Sequence, residues 1–242
     1  LGRFVHILVI GAVMITAHSP WASPQPPSER LFTLHGSNTI GAHLAPTLVK
    51  SYLLSRGLSH IRIVPLETEN EYRVIGQRGD KSYHIDIAAH GSSTGFRSLY
   101  TGSAQIAMSS RPIKDAEISR LHQLGKMDEF GAEHVIAIDG LAIITHSKNT
   151  VEQLNITQIA NIFSGKITNW QQVGGENASI NLYARDEKSG TWDTFKNLVL
   201  GSSHTLAQRA RRYESNDVLS DDVSQDLHGI GFVGLASVRR AK

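Results

Sequence analysis

The strand–turn–helix pattern around which the chain is organised reads LYARDEKSGTWDTF and covers residues 182–195. It predicts a short strand, a polar turn and a helix with apolar residues on one side. Ser189 is a good N-cap candidate, which leaves the backbone N–H groups of Gly190 and Thr191 free in the first helical turn. Such a helix end favours anions, because its donors converge and the helix dipole adds partial positive charge. Arg185, just upstream, can add a bidentate fork to an oxyanion.

Two other stretches repeat this pattern of strand, Gly/Ser turn and helix. They read TLHGSNTIG, residues 33–41, and IDIAAHGSSTGF, residues 85–96. In both, glycine allows close approach of the backbone, and serine or threonine can serve as a cap and as a hydroxyl donor. Ligands of open α/β sheets bind beyond the carboxyl ends of strands, where helices begin. Our hypothesis is that three helix N-termini and Arg185 meet around one small, desolvated oxyanion.

The composition limits the class of protein. The chain has 242 residues, of which 40% are hydrophobic, enough for one large domain or two small ones with real cores. Its 24 basic and 22 acidic residues give a net charge of +2, so no nucleic-acid partner is indicated. The absence of cysteine excludes disulfides, cysteine-based zinc sites and a thiol nucleophile.

Residues 1–23 have the features of a signal peptide. Arg3 precedes an apolar run, residues 4–17, that is too short to span a bilayer but suits the core of a signal sequence. Residues 24–30 contain three prolines and predict an extended spacer. We therefore expect an exported protein that is periplasmic or extracellular after cleavage of the signal peptide.

Strands and helices alternate along the rest of the chain, which predicts an α/β fold with mostly parallel sheets. The longest strand-like run, residues 135–145, exceeds an ordinary strand, and we interpret it as a connection between two lobes. We assign residues 31–138 to the first lobe and residues 139–242 to the second, so that both can bring donors to one cleft. Weaker patterns predict helices at residues 70–78 and 206–212.

Several short segments carry a resemblance to a known family. They read GSNTI (36–40), GSSTG (91–95), IAMSSRP (106–112), IFSGKITNW (162–170), RDEKSGT (185–191) and GIGFV (229–233). Together these segments resemble the phosphate-binding proteins that serve ATP-driven phosphate importers. The resemblance covers residues 31–238, nearly all of the expected mature chain. It implies the type II periplasmic-binding-protein fold, in which two α/β lobes are joined by a hinge of crossing strands and hold phosphate between them.

The resemblance also implies which residues hold the ligand. The expected ligand-binding residues are Thr39, Ile40, Ser92, Ser110, Arg185, Ser189, Gly190 and Thr191. Thr39 and Ile40 match donors of the first turn, and Ser92 matches the donor of the second turn. The residues from Arg185 onward match the donors of the third turn.

The sequence departs from the family pattern in two places. Ser110 stands where the family's best-studied members have an aspartate that accepts the proton of hydrogen phosphate. A serine accepts that proton less strongly, which weakens the rejection of fully ionised sulfate. The adjacent Arg111 either adds charge to the site or holds the lobe through a surface pair. In addition, the chain ends soon after residues 229–233, whereas the family returns to the first lobe, so we expect a truncated C-terminal return.

The expected ligand is inorganic phosphate or a similar tetrahedral oxyanion, bound without chemistry. The expected partner is the membrane complex of an ABC importer. We expect a monomer with no cofactor, no metal and no nucleic-acid partner. The twelve histidines show no H-x-H or H-E-x-x-H spacing, and the Gly/Ser turns lack the Gly-Lys-Ser/Thr of a nucleotide-binding loop.

Two other functions remain open on the sequence. Residues 91–95 match the G-x-S-x-G pattern of a serine hydrolase, with Ser93 as nucleophile and with Asp186 and His228 following in the required order. A cell-envelope interaction module with a degenerate ligand site is the second alternative. A fluorophosphonate probe would label Ser93 in a hydrolase and leave a binding protein unlabelled.

Overall fold

A five-stranded sheet forms the first part of the computed structural model, which describes residues 28–238. The predicted signal peptide, residues 1–23, lies outside the described residues. The strands are β1 (Ser28–Gly36), β2 (Ser59–Pro65), β3 (Glu71–Arg78), β4 (Lys81–Ala88) and β5 (Ile106–Met108). Their order is β2-β3-β4-β1-β5, in which β1 runs parallel to both neighbours and β3 runs antiparallel to both of its own. β1 begins at Ser28, inside the predicted spacer.

Four helices accompany this sheet. They are α1 (Asn38–Gly41), α2 (Leu44–Ser55), α3 (Ser92–Thr101) and α4 (Asp115–Leu121), and α4 continues as a 3-10 turn at His122–Leu124. We call this sheet and its four helices the first lobe. Its core packs α2 against the sheet through side chains that are at most 1% exposed, including Leu53, Val74, Ile85 and Ile87.

A four-stranded sheet with its own helices forms the second lobe. Its strands are β6 (Leu141–Thr145), β7 (Asn181–Arg185), β8 (Arg211–Tyr213) and β9 (Gly229–Gly234), in the order β6-β9-β7-β8. Its helices are α5 (Ile156–Phe163), α6 (Gly190–Phe195), which continues as a π-helical turn at Lys196–Leu200, and α7 (Asn216–Gln225). Short 3-10 turns lie at Trp170–Val173 and Leu235–Ser237. Across residues 28–238, no helix combines the length and the apolar character needed to cross a membrane.

An aromatic cluster fixes α6 on the second sheet. The rings of Phe195 in α6 and Phe232 in β9 stack with centroids 4.0 Å apart, and Phe163 packs edge-on against Phe195 at 4.8 Å. All three side chains are fully buried. Because burial of such rings is the dominant stabilising term in a core, this cluster holds the N-terminus of α6 at the carboxyl end of β7.

Helices begin beyond the carboxyl ends of parallel-paired strands, as the Gly/Ser turns predict. The end of β1 leads into α1, β4 into α3, β7 into α6 and β8 into α7. The prediction of two α/β lobes is confirmed by this arrangement. The predicted boundary between residues 138 and 139 stays a prediction, although the strands of the two sheets lie on either side of it.

Within residues 28–238, four of the seven strand pairs are parallel, which agrees with the predicted mostly parallel sheets, and three are antiparallel. β3 pairs antiparallel with β2 and β4, and β6 pairs antiparallel with β9. Of the strand-like run at 135–145, only Leu141–Thr145 forms a strand, and residues 133–140 have no regular structure; the interpretation of the run as a connection between the lobes stays a prediction. Ile138 in this segment is 97% exposed, so the apolar character of the run does not indicate that its side chains are buried.

Both weakly predicted helices are wrong. In the first of these segments, residues Glu71–Arg78 form β3, in which the buried positions include Gly76, so the alternation of apolar residues that marks a strand is hidden. An added Cβ at Gly76 would lie 2.6 Å from Ile61 Cδ1, which shows why the position is a glycine. Within residues 206–212, the basic segment ends in β8, a three-residue strand that pairs with β7 at the edge of the second sheet.

Candidate anion-binding site

The first and third Gly/Ser turns meet between the two lobes. Thr39 in α1 and Thr191 in α6 come from different lobes, and their Oγ1 atoms are 3.2 Å apart. The second turn also reaches the other lobe, because the Ser93 N–H donates to the carbonyl oxygen of Lys188 at 3.2 Å. The structure therefore brings all three turns to one junction.

Gly190 is the point where the second and third turns touch. An added Cβ there would overlap Ser92 Oγ and would lie 2.5 Å from Ser110 Oγ. The Ser110 N–H donates to Ser92 Oγ at 3.1 Å, and the two hydroxyl oxygens are 3.4 Å apart. Because Ser92 Oγ accepts this N–H, its own hydrogen can point toward Ser110 or toward a guest between the lobes.

Arg185, the last residue of β7, is buried with only neutral partners at hydrogen-bond distance. Its side chain donates to the carbonyl oxygens of Tyr213, at 3.2 Å, and Glu214, at 2.5 Å, and to Thr191 Oγ1 at 3.5 Å. Arg185 is 1% exposed, and within residues 28–238 its guanidinium forms no salt bridge. Burial lowers the pKa of Arg185 to about 10, against the opposing pull of nearby carboxylates such as Asp186.

The remaining predicted residues lie at the same junction. Ser189 is the N-cap of α6, as predicted, and its hydroxyl accepts from the Trp192 N–H at 3.3 Å. Ile40 follows Thr39 in α1, and its side chain packs against the core of the first lobe, so its backbone is the part left to contact a guest. The predicted ligand-binding residues thus bring hydroxyl groups, backbone amides and one guanidinium to the same junction.

Arg111 ties the lobes together beside this site. Its Nε donates to Asp193 Oδ2 at 2.7 Å across the cleft, and Nη1 and Nη2 donate to the carboxylate of Glu117 at 2.8 and 2.7 Å. Lys114 Nζ also pairs with Asp193 Oδ2, at 2.6 Å. Despite burial, the hydrogen bonds and charges of Glu117 and Asp193 raise the pKa of Arg111. Arg111 was expected either to add charge to the site or to hold the lobe through a surface pair. The structure favours the second role, through a pair with Asp193 that is largely buried.

The hydrolase alternative fails on geometry. Ser93 Oγ accepts from Arg111 Nη2 at 3.0 Å. His228 lies at the opposite end of the second sheet, because its carbonyl accepts from Asn181, the first residue of β7. Asp186 follows the last residue of β7, and at about 3.3 Å per residue roughly 16 Å of strand separates it from His228. No catalytic triad can form from these residues.

Sequence reasoning missed a set of polar contacts between the lobes. His90 lies between Glu71 Oε1, at 3.0 Å from Nε2, and Glu214 Oε1, at 2.8 Å from Nδ1. His43 Nε2 lies 2.6 Å from Asp217 Oδ2. No local pattern indicates such pairs, because the two residues of each pair that crosses between the lobes lie more than 120 positions apart in the chain. The described residues contain no group of three or more His, Asp or Glu side chains placed to hold a metal ion.

The protein has two α/β lobes whose helix N-termini face each other across a closed cleft. This arrangement defines the class of proteins with the type II periplasmic-binding-protein fold. The sequence profile described as the PBP superfamily domain matches residues 77–242, more than half of the chain. The chain therefore belongs to the PBP superfamily.

Named relatives lie within this class. The phosphate-binding protein PstS of Borreliella burgdorferi is 32% identical over 163 residues, which cover 65% of this chain and 55% of that protein. Protein SphX of Synechococcus elongatus is 30% identical over 166 residues, covering 66% of this chain and 48% of that protein. The chain thus matches about half the length of these relatives.

Solved structures show the same fold. A proposed phosphate ABC transporter substrate-binding protein of Clostridium perfringens, solved with bound phosphate, matches with a TM-score of 0.66 and 26% identity, over 86% of this chain and 72% of that one. An ABC-type phosphate transport receptor of Vibrio cholerae matches with a TM-score of 0.58 and 27% identity, over 87% and 74% of the respective chains.

Proposed function

We propose that this protein captures inorganic phosphate, or a similar tetrahedral oxyanion, in the cleft between its lobes. The observation that carries the proposal is the burial of Arg185 without a carboxylate partner at hydrogen-bond distance. An isolated buried cation is strongly unfavourable, whereas a buried cation paired with an anion is not. A guest with negative charge at the junction of the three turns supplies that pairing.

The other proposed ligand contacts are neutral donors. Thr39, Ser92, Ser110 and Thr191 contribute hydroxyl groups, and the first turn of α6 contributes backbone N–H groups at Gly190 and Thr191. Fixed hydrogen-bond donors in a site without water stabilise an oxyanion more strongly than the same donors do in water. Binding thus proceeds by hydrogen bonding and lobe closure, with no covalent step and no catalytic role.

The names of the relatives support the choice of phosphate. Two of the proteins matched are a phosphate-binding protein and a phosphate transport receptor, and a third matched protein was solved with bound phosphate. We extend this to an exported protein, periplasmic or extracellular, that acts as a monomer and delivers phosphate to an ABC importer in the membrane.

Titration calorimetry with phosphate tests the proposal. Arg185→Met keeps the apolar length of the side chain and removes its charge, and we expect phosphate affinity to fall about 100-fold, or about 3 kcal/mol. Arg209→Met is the matched control, because Arg209 is an exposed arginine of the same lobe whose Nη1 contacts the carbonyl of Ile180. Absence of phosphate binding by the unmodified protein, or equal affinity of Arg185→Met, would contradict the proposal.

A further inference from the structure

Asn216, the first residue of α7, reaches from the second lobe into the first. Its backbone N–H and its Nδ2 donate to Asn38 Oδ1 at 3.0 and 3.2 Å, and Nδ2 also donates to Thr39 Oγ1 at 3.2 Å. Within the second lobe, the Gly234 N–H donates to Asn216 Oδ1 at 3.3 Å. Asn216 is 1% exposed, so these bonds are made inside the protein and not at its surface.

The orientation of these amides follows from a chain of partners that ends at a carboxylate. Asn70 Nδ2 donates to Glu214 Oε1 at 3.0 Å, and an ionised carboxylate can only accept. Asn70 Oδ1 is therefore left to accept from Asn38 Nδ2, at 3.1 Å, and the same Nδ2 lies 3.4 Å from the carbonyl oxygen of Ala89. Asn38 must then present its Oδ1 to the second lobe, which requires Asn216 to be the donor.

This orientation decides what the Thr39 hydroxyl can do. Thr39 Oγ1 accepts from Asn216, so its own hydrogen does not point at Asn216 and is available to an acceptor in the space between the lobes, where Thr191 Oγ1 lies 3.2 Å away. The two hydrogens on Asn216 Nδ2 are used by Asn38 and Thr39, so Asn216 itself has no side-chain donor left for a guest.

We propose that Asn216 is a positioning residue of the oxyanion site, which fixes Thr39 as a donor to the anion through bonds that form only between closed lobes. The inference rests on the proposed function. Because Asn216 and Thr39 belong to different lobes, opening of the cleft breaks their bond and frees the Thr39 hydroxyl to rotate. Asn216 thereby couples lobe closure to the strength of one ligand contact.

A double-mutant cycle on phosphate affinity tests this coupling. We expect Asn216→Ala to weaken phosphate binding about tenfold in the wild-type background, because the orienting bond is lost. In the Thr39→Val background, which keeps the side-chain shape but lacks the hydroxyl, Asn216→Ala should weaken binding by no more than about twofold. Asn216→Asp provides a second variant, since it keeps the shape and replaces the Nδ2 donor by an acceptor; it should weaken binding at least as much as Asn216→Ala.

Asn155→Ala is the control for loss of an asparagine amide at a helix N-terminus. Asn155 caps α5 on the exposed side of the second lobe, so its removal should lower the melting temperature without changing phosphate affinity. Equal weakening by Asn216→Ala in both backgrounds would overturn the inference and leave the proposed function intact. Wild-type affinity in Asn216→Asp would do the same. Failure of the unmodified protein to bind phosphate would overturn both. If Asn216→Ala does not fold, the cycle is run with Asn216→Asp.

Discussion

Arg185 differs from the other buried or part-buried arginines in its partners. Arg73 donates to Asp86 at 2.6 Å, and Arg111 donates to Asp193 at 2.7 Å, and in both cases the carboxylates raise the pKa of the arginine. Around Arg185 the groups at hydrogen-bond distance are carbonyls and a hydroxyl, and burial lowers its pKa. The charge of Arg185 is thus balanced least by the protein, which is the condition an anion site requires.

Ser110 is the residue at which we expect ligand choice to be decided. A carboxylate at this position repels a fully ionised oxyanion but accepts a hydrogen bond from a protonated one, so it distinguishes phosphate from sulfate. We predict that the unmodified protein discriminates weakly between them, and that Ser110→Asp lowers sulfate affinity at least about 100-fold while phosphate binding survives. Competition titrations of the two anions measure this.

Ser119→Asp, on the exposed side of α4, controls for the added charge. It should leave both affinities unchanged, because exposed charges away from the site are screened. Strong phosphate selectivity in the unmodified protein, or equal losses of both anions in Ser110→Asp, would refute the role given to Ser110.

Residue roles could be predicted from the sequence only where the relevant groups are local. Arg185, Ser189 and Thr191 lie within a single strand–turn–helix segment, so their cooperation can be inferred from spacing and cap preference. Asn216 carries no such local signal, because Ser215 caps α7 and the asparagine that follows it faces the other lobe. Its partner Thr39 is 177 positions away, which no local pattern can connect.

At the scale of elements, the first turn of α6 depends on a residue without a side chain. Gly190 allows the hydroxyls of Ser92 and Ser110 to approach the helix end, and a methyl group there would overlap them. We predict that Gly190→Ala weakens phosphate binding about tenfold or more by holding the lobes apart, since Ser92 is fully buried and cannot move aside at low cost. Calorimetry and a thermal melt without ligand separate loss of binding from loss of folding.

Gly131→Ala is the matched control for this change. Gly131 has no heavy atom within 4 Å of an added Cβ and no positive φ, so the same substitution meets no neighbour. It should leave phosphate affinity and the melting temperature unchanged. Phosphate affinity equal to wild type in Gly190→Ala would show that the lobes close without this contact.

Helices that follow a Gly/Ser turn were predicted well from the sequence. Segments were predicted poorly where a buried position is not apolar or an apolar position is not buried. β3 was missed because Gly76 takes a buried position, so its apolar alternation is broken. Residues 135–140 show the opposite case, because an apolar segment there is exposed. Pattern analysis assumes that apolar side chains are buried, and neither segment obeys that assumption.

At the scale of the whole molecule, the lobes are held together around the site by polar groups. The contacts include the buried Arg111–Asp193 pair, the Asn216–Asn38 bonds and His90, which lies between carboxylates of both lobes. Polar contacts that can exchange with water suit a cleft that opens and closes.

His90 makes closure sensitive to pH. Burial alone would lower the pKa of His90, but hydrogen bonds to Glu71 and Glu214 and their charges outweigh burial and raise it. His35 lies near enough to oppose charging of His90, and burial lowers the pKa of His35 itself. With its pKa raised in the closed form, protonated His90 stabilises that form fully at low pH, and this contribution is lost as the pH rises through the raised pKa.

We therefore predict that phosphate dissociates faster as the pH rises, and that His90→Asn removes part of this dependence. Stopped-flow release measured from about pH 6 to about pH 8, for wild type and variant at each pH, cancels the ionisation of phosphate itself. The ratio of the variant's release rate to that of the wild type should be largest at low pH and approach one at high pH. A ratio that does not change with pH would show that protonation of His90 does not stabilise the closed form.

The most direct test of the central claim is the anomalous scattering of arsenate, a tetrahedral oxyanion, in crystals of the protein grown with it. We predict one buried arsenic peak between the lobes, with the arsenate oxygens within hydrogen-bond distance of Arg185, Thr39, Ser92 and Thr191. A closed protein with no peak there, or with arsenate bound only at other surfaces, would contradict it.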